Sequence, residues 1–502
     1  KKGNRESEIL LREAEFIGAL AEQKGYKFPY EAMDRLWKVV LTNQFHDILP
    51  GSSIAKVYEK VEQDYLELKN ELRDIISDMK TYLAEKNDSL SVINSLSFER
   101  EEIVELDERF KNGARLDDGT ELEVDNSTDK VLAKVKLPAL SGLSISPSNS
   151  ALAENKAEAR LTSDGAELEN EEIIVKLNSL AEIVSLKDKK SNREFVKGKM
   201  NEFLMYKDVA RLFDAWDIDS NYELQGVELK KEAKLSIKKS KGLSAVLSVE
   251  REIGESKLCQ DIVIKSGSRR IDFETYVNWR ELHRLLKVGF GTDVLCENGI
   301  NEIQFGFMER PTHKSRLYDR DRFEVCNHRY SALCDNSHGV AVLNDCKYGI
   351  SMHTSELRLT LLKAASCPEM RADNGEHSFT YSVFPWEGSF AESSVVEEAY
   401  KLNNKVELLN GKFDSDSFAA LDAKNIFIDS IKPAEDKSGD IILRLYEAKK
   451  ASINCRLTLN VSAKAVYETD MLENNKNELK LADNKVDLSF RAFEIKTLRI
   501  KL

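Results

Sequence analysis

Asn43-Gln44-Phe45-His46-Asp47-Ile48-Leu49-Pro50-Gly51-Ser52-Ser53 separates two helical patterns and decides how the first part of the chain is built. Upstream, Met33, Leu36, Trp37, Val40 and Leu41 recur at helical spacing. Downstream, Ile54, Val57, Tyr58, Val61, Tyr65, Leu68, Leu72, Ile75, Met79 and Leu83 step by three or four, the mark of a long amphipathic helix. Pro50-Gly51 is turn chemistry, and Ser53 stands where an N-cap side chain accepts from the first free backbone N–H groups. His46 and Asp47 therefore fall on a tight connection between two rigid helices. Such a junction aims side chains well, yet a His beside an Asp at a helix end more often serves as a packed structural pair.

Working outward, residues 7–24 present Leu10, Leu11, Ala14, Ile17 and Leu20 on one face and stop at Gly25, a good residue to end a helix. Pro29 suits the first turn of the next. The pattern predicts a three-helix bundle over residues 1–87. From Ser89 the periodicity shortens to β-rich runs between turn residues. Residues 88–160 are expected to hold a small β domain and linker, with Ser-rich 141–150 as a hinge or loop and 151–160 polar and mobile. Residues 161–396 read as a large β-sandwich domain, and 397–502 as a polar connection followed by a C-terminal β domain. The clearest strand, residues 271–279, alternates Ile271, Phe273, Thr275, Val277 and Trp279 with Asp272, Glu274, Tyr276 and Asn278, so one face should be buried and the other wet. The fold class is multidomain α+β, a three-helix bundle followed by antiparallel β-sandwich domains.

Composition narrows the function. A length of 502 residues exceeds one core, and a net charge of −13 with no basic cluster offers nothing to replace the counterions of a nucleic acid. No run approaches the ~18 consecutive apolar residues of a membrane helix, and Lys1-Lys2-Gly3-Asn4-Arg5-Glu6 lacks the apolar core of a secretory signal. The seven cysteines are scattered and never spaced Cys-x-x-Cys, which fits a reducing cytosol and a cytoplasmic protein. Nothing in the composition excludes a homo-oligomer.

Residues 36–54 closely resemble the middle helical domain of glycoside hydrolase family 38, the α-mannosidases, in its bacterial and archaeal branch. Further strings are similar in order along the chain: Val92-Ile93-Asn94-Ser95-Leu96-Ser97-Phe98, Asp214-Ala215-Trp216-Asp217-Ile218, Trp279-Arg280-Glu281-Leu282-His283-Arg284, Glu309-Arg310-Pro311-Thr312-His313, Arg322-Phe323-Glu324-Val325-Cys326, Leu343-Asn344-Asp345-Cys346-Lys347-Tyr348-Gly349 and Phe493-Glu494-Ile495-Lys496-Thr497-Leu498. The resemblance implies a retaining, exo-acting hydrolase of terminal α-mannosides that uses one zinc ion, with a mannose-containing oligosaccharide as its partner. By it His46 would be a zinc ligand and Asp47 would bind the mannose hydroxyls. Phe45 stands where other branches carry a second His, and its ring is expected to pack against the helices. The family's His-x-Asp zinc ligands and its nucleophile have no counterpart, because none of the seven histidines is followed two residues later by Asp. The expectation is the middle and C-terminal part of a longer enzyme, with no catalytic carboxylate of its own and a single zinc ligand. Alone it should be inactive and should not retain stoichiometric zinc.

Four other features carry expectations. His283 and His313 read as hydrogen-bonded loop histidines, and residues 344–349 form the loop of the β region best suited to approach a cleft. Trp216, between Asp214 and Asp217, is expected in a β-sandwich core, with stacking on a sugar face as the alternative. The rival functional class is a non-catalytic carbohydrate-binding or structural β-sandwich module.

Overall fold

Three helices open the chain: α1 (Lys2–Gln23), α2 (Tyr30–Asn43) and α3 (Ala55–Leu83). The first begins five residues before the expected Ser7, whose hydroxyl donates back to the Gly3 carbonyl at 2.7 Å inside the helix. The computed structural model describes residues 1–149 and 156–502. Its residues gather into two compact units, one of Lys1–Lys2, Phe45–Lys60 and Ala153–Asn403, the other of Gly3–Gln44, Val61–Leu152 and Asn404–Leu502.

In the second unit the apolar stripes of the helices, Leu11, Ala14 and Ile17 with Met33, Leu36, Val40, Leu72 and Met79, share one core with Leu443, Leu457 and Ile500 from the C-terminal strands. Each Leu, Ile, Val or Met among them contributes roughly 1.5–3 kcal/mol through its removal from water. The same unit holds a seven-stranded antiparallel sheet in the order Arg100–Leu106, Val131–Leu137, Glu121–Asp125, Ala114–Leu116, Ser141–Pro147, Glu85–Asn94, Glu407–Lys412. Ser141–Pro147 corrects the expected hinge. Ser141 Oγ closes on the Pro138 carbonyl, but the other two hydroxyls pair across the register: Ser146 Oγ with Ser89 Oγ and Ser144 Oγ with Ser91 Oγ, each at 3.0 Å, and Ser91 and Ser144 both accept from the Phe413 N–H. Serine composition resembles a loop, but paired hydroxyls are satisfied inside a sheet. Of residues 151–160, expected to be polar and mobile, 157–160 belong to the strand Ala157–Leu161, and 151–155 lie outside the described residues.

The first unit is built from an eleven-stranded and a nine-stranded antiparallel sheet, whose inner faces share one core that includes Leu168, Phe195, Phe290, Phe273, Trp279 and Val342. The strand Ile271–Trp279 lies within the nine-stranded sheet, and its Ile271, Phe273, Thr275, Val277 and Trp279 are buried as the alternation required. Asp272 on the opposite face is buried too, against expectation. The segment taken as a polar connection supplies the reason. Val395–Asn403 is a helix that packs on the strands Tyr330–Cys334 and His338–Asn344 of this sheet, and its Glu398 shares Arg270 with Asp272. No helix among the described residues is long and apolar enough to cross a membrane.

Candidate functional site

Between α2 and α3 the backbone turns twice. Ile48 and Leu49 donate to the Phe45 carbonyl at 2.9 and 3.1 Å, and Gly51, at φ 96°, donates to Ile48 O at 3.2 Å. Two groups hold this turn to the start of α3. The Tyr58 hydroxyl donates to the Asp47 carbonyl at 3.0 Å and accepts from the Ser53 N–H at 2.9 Å. The first N–H of α3, that of Ala55, is taken by the Glu369 carboxylate at 2.9 Å. The cap expected from Ser53 thus comes from a residue 314 positions along the chain, with a negative charge at the positive end of a long helix. No sequence signal pointed to Glu369, and Tyr58 read only as part of an apolar stripe.

On this pinned turn His46 and Asp47 face outward, with side chains 70% and 38% exposed. His46 Nε2 lies 3.5 Å from Asp47 Oδ2, and the other carboxylate oxygen lies 3.5 Å from the buried Ser52 hydroxyl. The pair is therefore oriented by neighbours but not consumed by them. Phe45 does not pack into the helices as expected. It is 56% exposed, and its ring lies against the His46 imidazole, centroids 4.3 Å apart, which limits the rotamers open to the histidine. As a zinc site the donor set falls short: among the described residues no group of three or more His, Cys, Asp or Glu side chains is placed to hold a metal ion. One imidazole and one carboxylate do not fill the four positions zinc takes.

The other expected residues sort differently. His283, at φ 51°, has its ring Nδ1 3.2 Å from Asp208 O and 3.8 Å from Asp214 Oδ2, while His313 Nδ1 accepts from the Ser315 N–H at 3.4 Å. The loop after His338–Asn344 turns inward instead of into a cleft: Asn344 is fully buried and donates to Asn327 Oδ1 at 3.0 Å, Cys346 is buried, and Lys347 Nζ reaches the Leu361 carbonyl. Asn side chains that close a turn on their own backbone need no ligand. Trp216, expected in a core, is 63% exposed. In the other unit an open cleft of about 610 Å³ is lined by Ser141, Ser415, Ser417, Asn460 and Asn484, but the Ser141, Ser415 and Ser417 hydroxyls already donate to backbone carbonyls.

One charged cluster went unseen in the sequence. Arg358 and Thr360 of the strand Glu356–Lys363 stand with Lys287, Glu324, Glu223 and His353 on one sheet face. Lys287 is fully buried, donates to Thr360 Oγ1 at 2.8 Å and pairs with Glu324; His353 Nε2 lies 2.7 Å from Glu223 Oε1. The His353 ring, with Lys314 beside it, holds the Glu223 carboxyl down to about 2 against the opposing effect of burial. The sign follows directly. Glu223 contributes stability above the unfolded carboxylate value of about 4.3, and that contribution is lost as pH falls toward 2. Allowing for partial solvent access, the loss is on the order of 2 kcal/mol. Urea midpoints of the native chain and of Glu223→Gln should differ at pH 6 and converge through this acid range; parallel pH profiles would refute the assignment.

Comparison with known proteins agrees with this architecture. Residues 1–83 match the family model described as alpha mannosidase middle domain, 168–371 that of the glycosyl hydrolases family 38 C-terminal domain, and 425–498 that of the family 38 C-terminal beta sandwich domain. The chain is 32% identical to human alpha-mannosidase 2C1 over its whole length and 49% of that protein, and 30% identical to Dictyostelium discoideum alpha-mannosidase G over 99% of the chain and 51% of that protein. It thus spans about half the length of the curated relatives it matches. The crystal structure of an alpha-mannosidase from Enterococcus faecalis V583 superposes with a TM-score of 0.80 at 16% identity, over all of this chain and 67% of that one, a likeness of fold. Helices followed by antiparallel sheets, three matching domain models in order and relatives along the full length lead to one conclusion: the chain belongs to glycoside hydrolase family 38.

Proposed function

We propose that the chain is the middle and C-terminal part of a zinc-dependent, retaining α-mannosidase acting on terminal α-mannosides, and that His46 and Asp47 form one wall of its active site. The observation that carries the reading is the outward-facing His46–Asp47 pair on a turn pinned by Tyr58 and Glu369. In this reading Asp47 accepts hydrogen bonds from sugar hydroxyls, and its ionised oxygens make these the stronger, charge-assisted kind. His46 offers one imidazole nitrogen to a zinc ion, with Phe45 restricting its rotation. The remaining zinc ligands and the two carboxyl groups of a retaining mechanism, about 5–5.5 Å apart, belong to residues outside this chain. The half-length match to the relatives supports that division of labour. Seven free thiols, with Cys326 and Cys367 exposed, support a reducing, cytoplasmic setting.

The test has two arms. The 502-residue chain alone is expected neither to hydrolyse an aryl α-mannoside nor to retain one zinc per chain by elemental analysis. Supplying the N-terminal region of a longer family 38 protein is expected to restore turnover. Stoichiometric zinc in the isolated chain, or its unaided turnover, overturns the reading.

A further inference from the structure

Residues 208–217 form a loop that is fastened at its base and bare at its crest. At the base, Asp208 is buried and pairs with Lys363, the Asp208 N–H donates to His283 O at 3.0 Å, and Lys363 also donates to Asp217 O at 2.9 Å. Asp214 Oδ2 accepts from the Ser366 N–H at 2.6 Å, and the Ala215 N–H donates to Cys367 O at 3.1 Å. At the crest Leu212, Phe213 and Trp216 are exposed, Phe213 at 73% and Trp216 at 63%. Phe213 holds φ 56°, a left-handed conformation that a bulky side chain rarely adopts, and its carbonyl accepts from the Trp216 and Asp217 N–H groups. Folding thus fixes the backbone while leaving large apolar rings in water, where an unpaired patch marks a binding surface.

Two observations say what the rings meet. Asp214, between Phe213 and Trp216 in sequence, keeps one carboxylate oxygen, Oδ1, buried and without a hydrogen-bond partner among the described residues, a polar atom that the loop's own bonds leave unused. The loop is also tied to the segment that caps α3: Cys367 holds Ala215, and two residues later Glu369 holds Ala55, eight residues after Asp47. We propose that Phe213 and Trp216 form a stacking platform for a pyranose ring of the oligosaccharide whose terminal mannose reaches Asp47. An aromatic face covers the C–H face of a sugar, while carboxylates at its edge accept the hydroxyls. The proposal rests on the α-mannoside reading above and extends it from the terminal sugar to the glycan behind it.

Isothermal titration of the 502-residue chain with a linear α-mannopentaose tests it. Saturable binding is expected, weakened about five- to tenfold by Trp216→Ala and by Phe213→Ala, and kept within about twofold by Trp216→Phe, which preserves an aromatic face. Trp216 is exposed, so its replacement should leave the melting temperature unchanged. Equal affinity in Trp216→Ala, or no saturable heat from the native chain at tens of millimolar ligand, overturns the platform. So does a native dimer in sedimentation that Trp216→Ala dissolves, because the rings would then be covered by a second copy. Binding of maltopentaose as tight as mannopentaose, still lost in Trp216→Ala, upholds the platform and counts against the α-mannoside reading alone.

Discussion

Arg270→Ala is expected to lower the unfolding free energy of the chain by about 3–5 kcal/mol, the cost of leaving buried charges without their partner. Arg270 grips Asp272 with two nitrogens, at 2.7 and 3.2 Å, and its third reaches Glu398 at 2.9 Å; the three side chains are 8%, 6% and 12% exposed. Burial alone would raise the Asp272 carboxyl, but Arg270 and Lys265 outweigh it and hold it far below the usual carboxylate range. Glu398 is held down in the same way by Lys401 and Arg270. Removing the guanidinium leaves Asp272 to Lys265 at 3.4 Å and Glu398 to Lys401 at 2.9 Å, two buried carboxylates that have lost the cation they share. Denaturant unfolding measures the loss. Arg270→Met combined with Asp272→Asn should cost less than Arg270→Ala, because it removes the Asp272 charge together with the guanidinium and leaves Glu398 to Lys401. A loss below about 1 kcal/mol in Arg270→Ala would show that water reaches these carboxylates and that the helix does not seal the sheet.

The same network shows what a sequence can and cannot disclose. The inward half of residues 271–279 was legible, because period-two alternation is a local property of one strand and its core. The fate of Asp272 was not, since it depends on a helix more than a hundred residues later, and residues 395–403 carry enough charge to read as a connection. Ser141–Pro147 was misread for the converse reason: its Ser144 and Ser146 pair with Ser91 and Ser89, partners that no local pattern announces. At the candidate site the contrast is sharper. The turn, the helix start and the His46–Asp47 pair follow from Pro50-Gly51 and flanking periodicity. Glu369 reaches the start of α3, and the loop with Trp216 reaches Cys367, only through tertiary hydrogen bonds, and an isolated tryptophan is on prior grounds a core residue.

The second large effect falls on activity. In an α-mannosidase assembled from this chain and a family 38 N-terminal region, Asp47→Ala is expected to lower kcat/KM about 100-fold, and Asp47→Asn about tenfold. A hydrogen bond to a charged acceptor is worth about 1.5–3 kcal/mol, and about 1.4 kcal/mol is one factor of ten, so losing one such bond spans this range. The amide of Asn keeps an acceptor but loses the charge that strengthens it. Folding should be indifferent to either change. Asp47 makes its fold-stabilising link through the backbone carbonyl held by Tyr58, while among the described residues its carboxylate meets His46 and Ser52, both at 3.5 Å. How the loss divides then reports what the carboxylate does. A raised KM at constant kcat means that Asp47 binds the ground state and transition state alike; a fall in kcat means its hydrogen bonds tighten as the sugar ring distorts. If Asp47→Ala stays within about twofold of native in both constants, Asp47 is not a mannose ligand. The pinned turn would then have to act through His46 alone, and His46→Ala in the same assembly separates that outcome from a turn that only supports the helices.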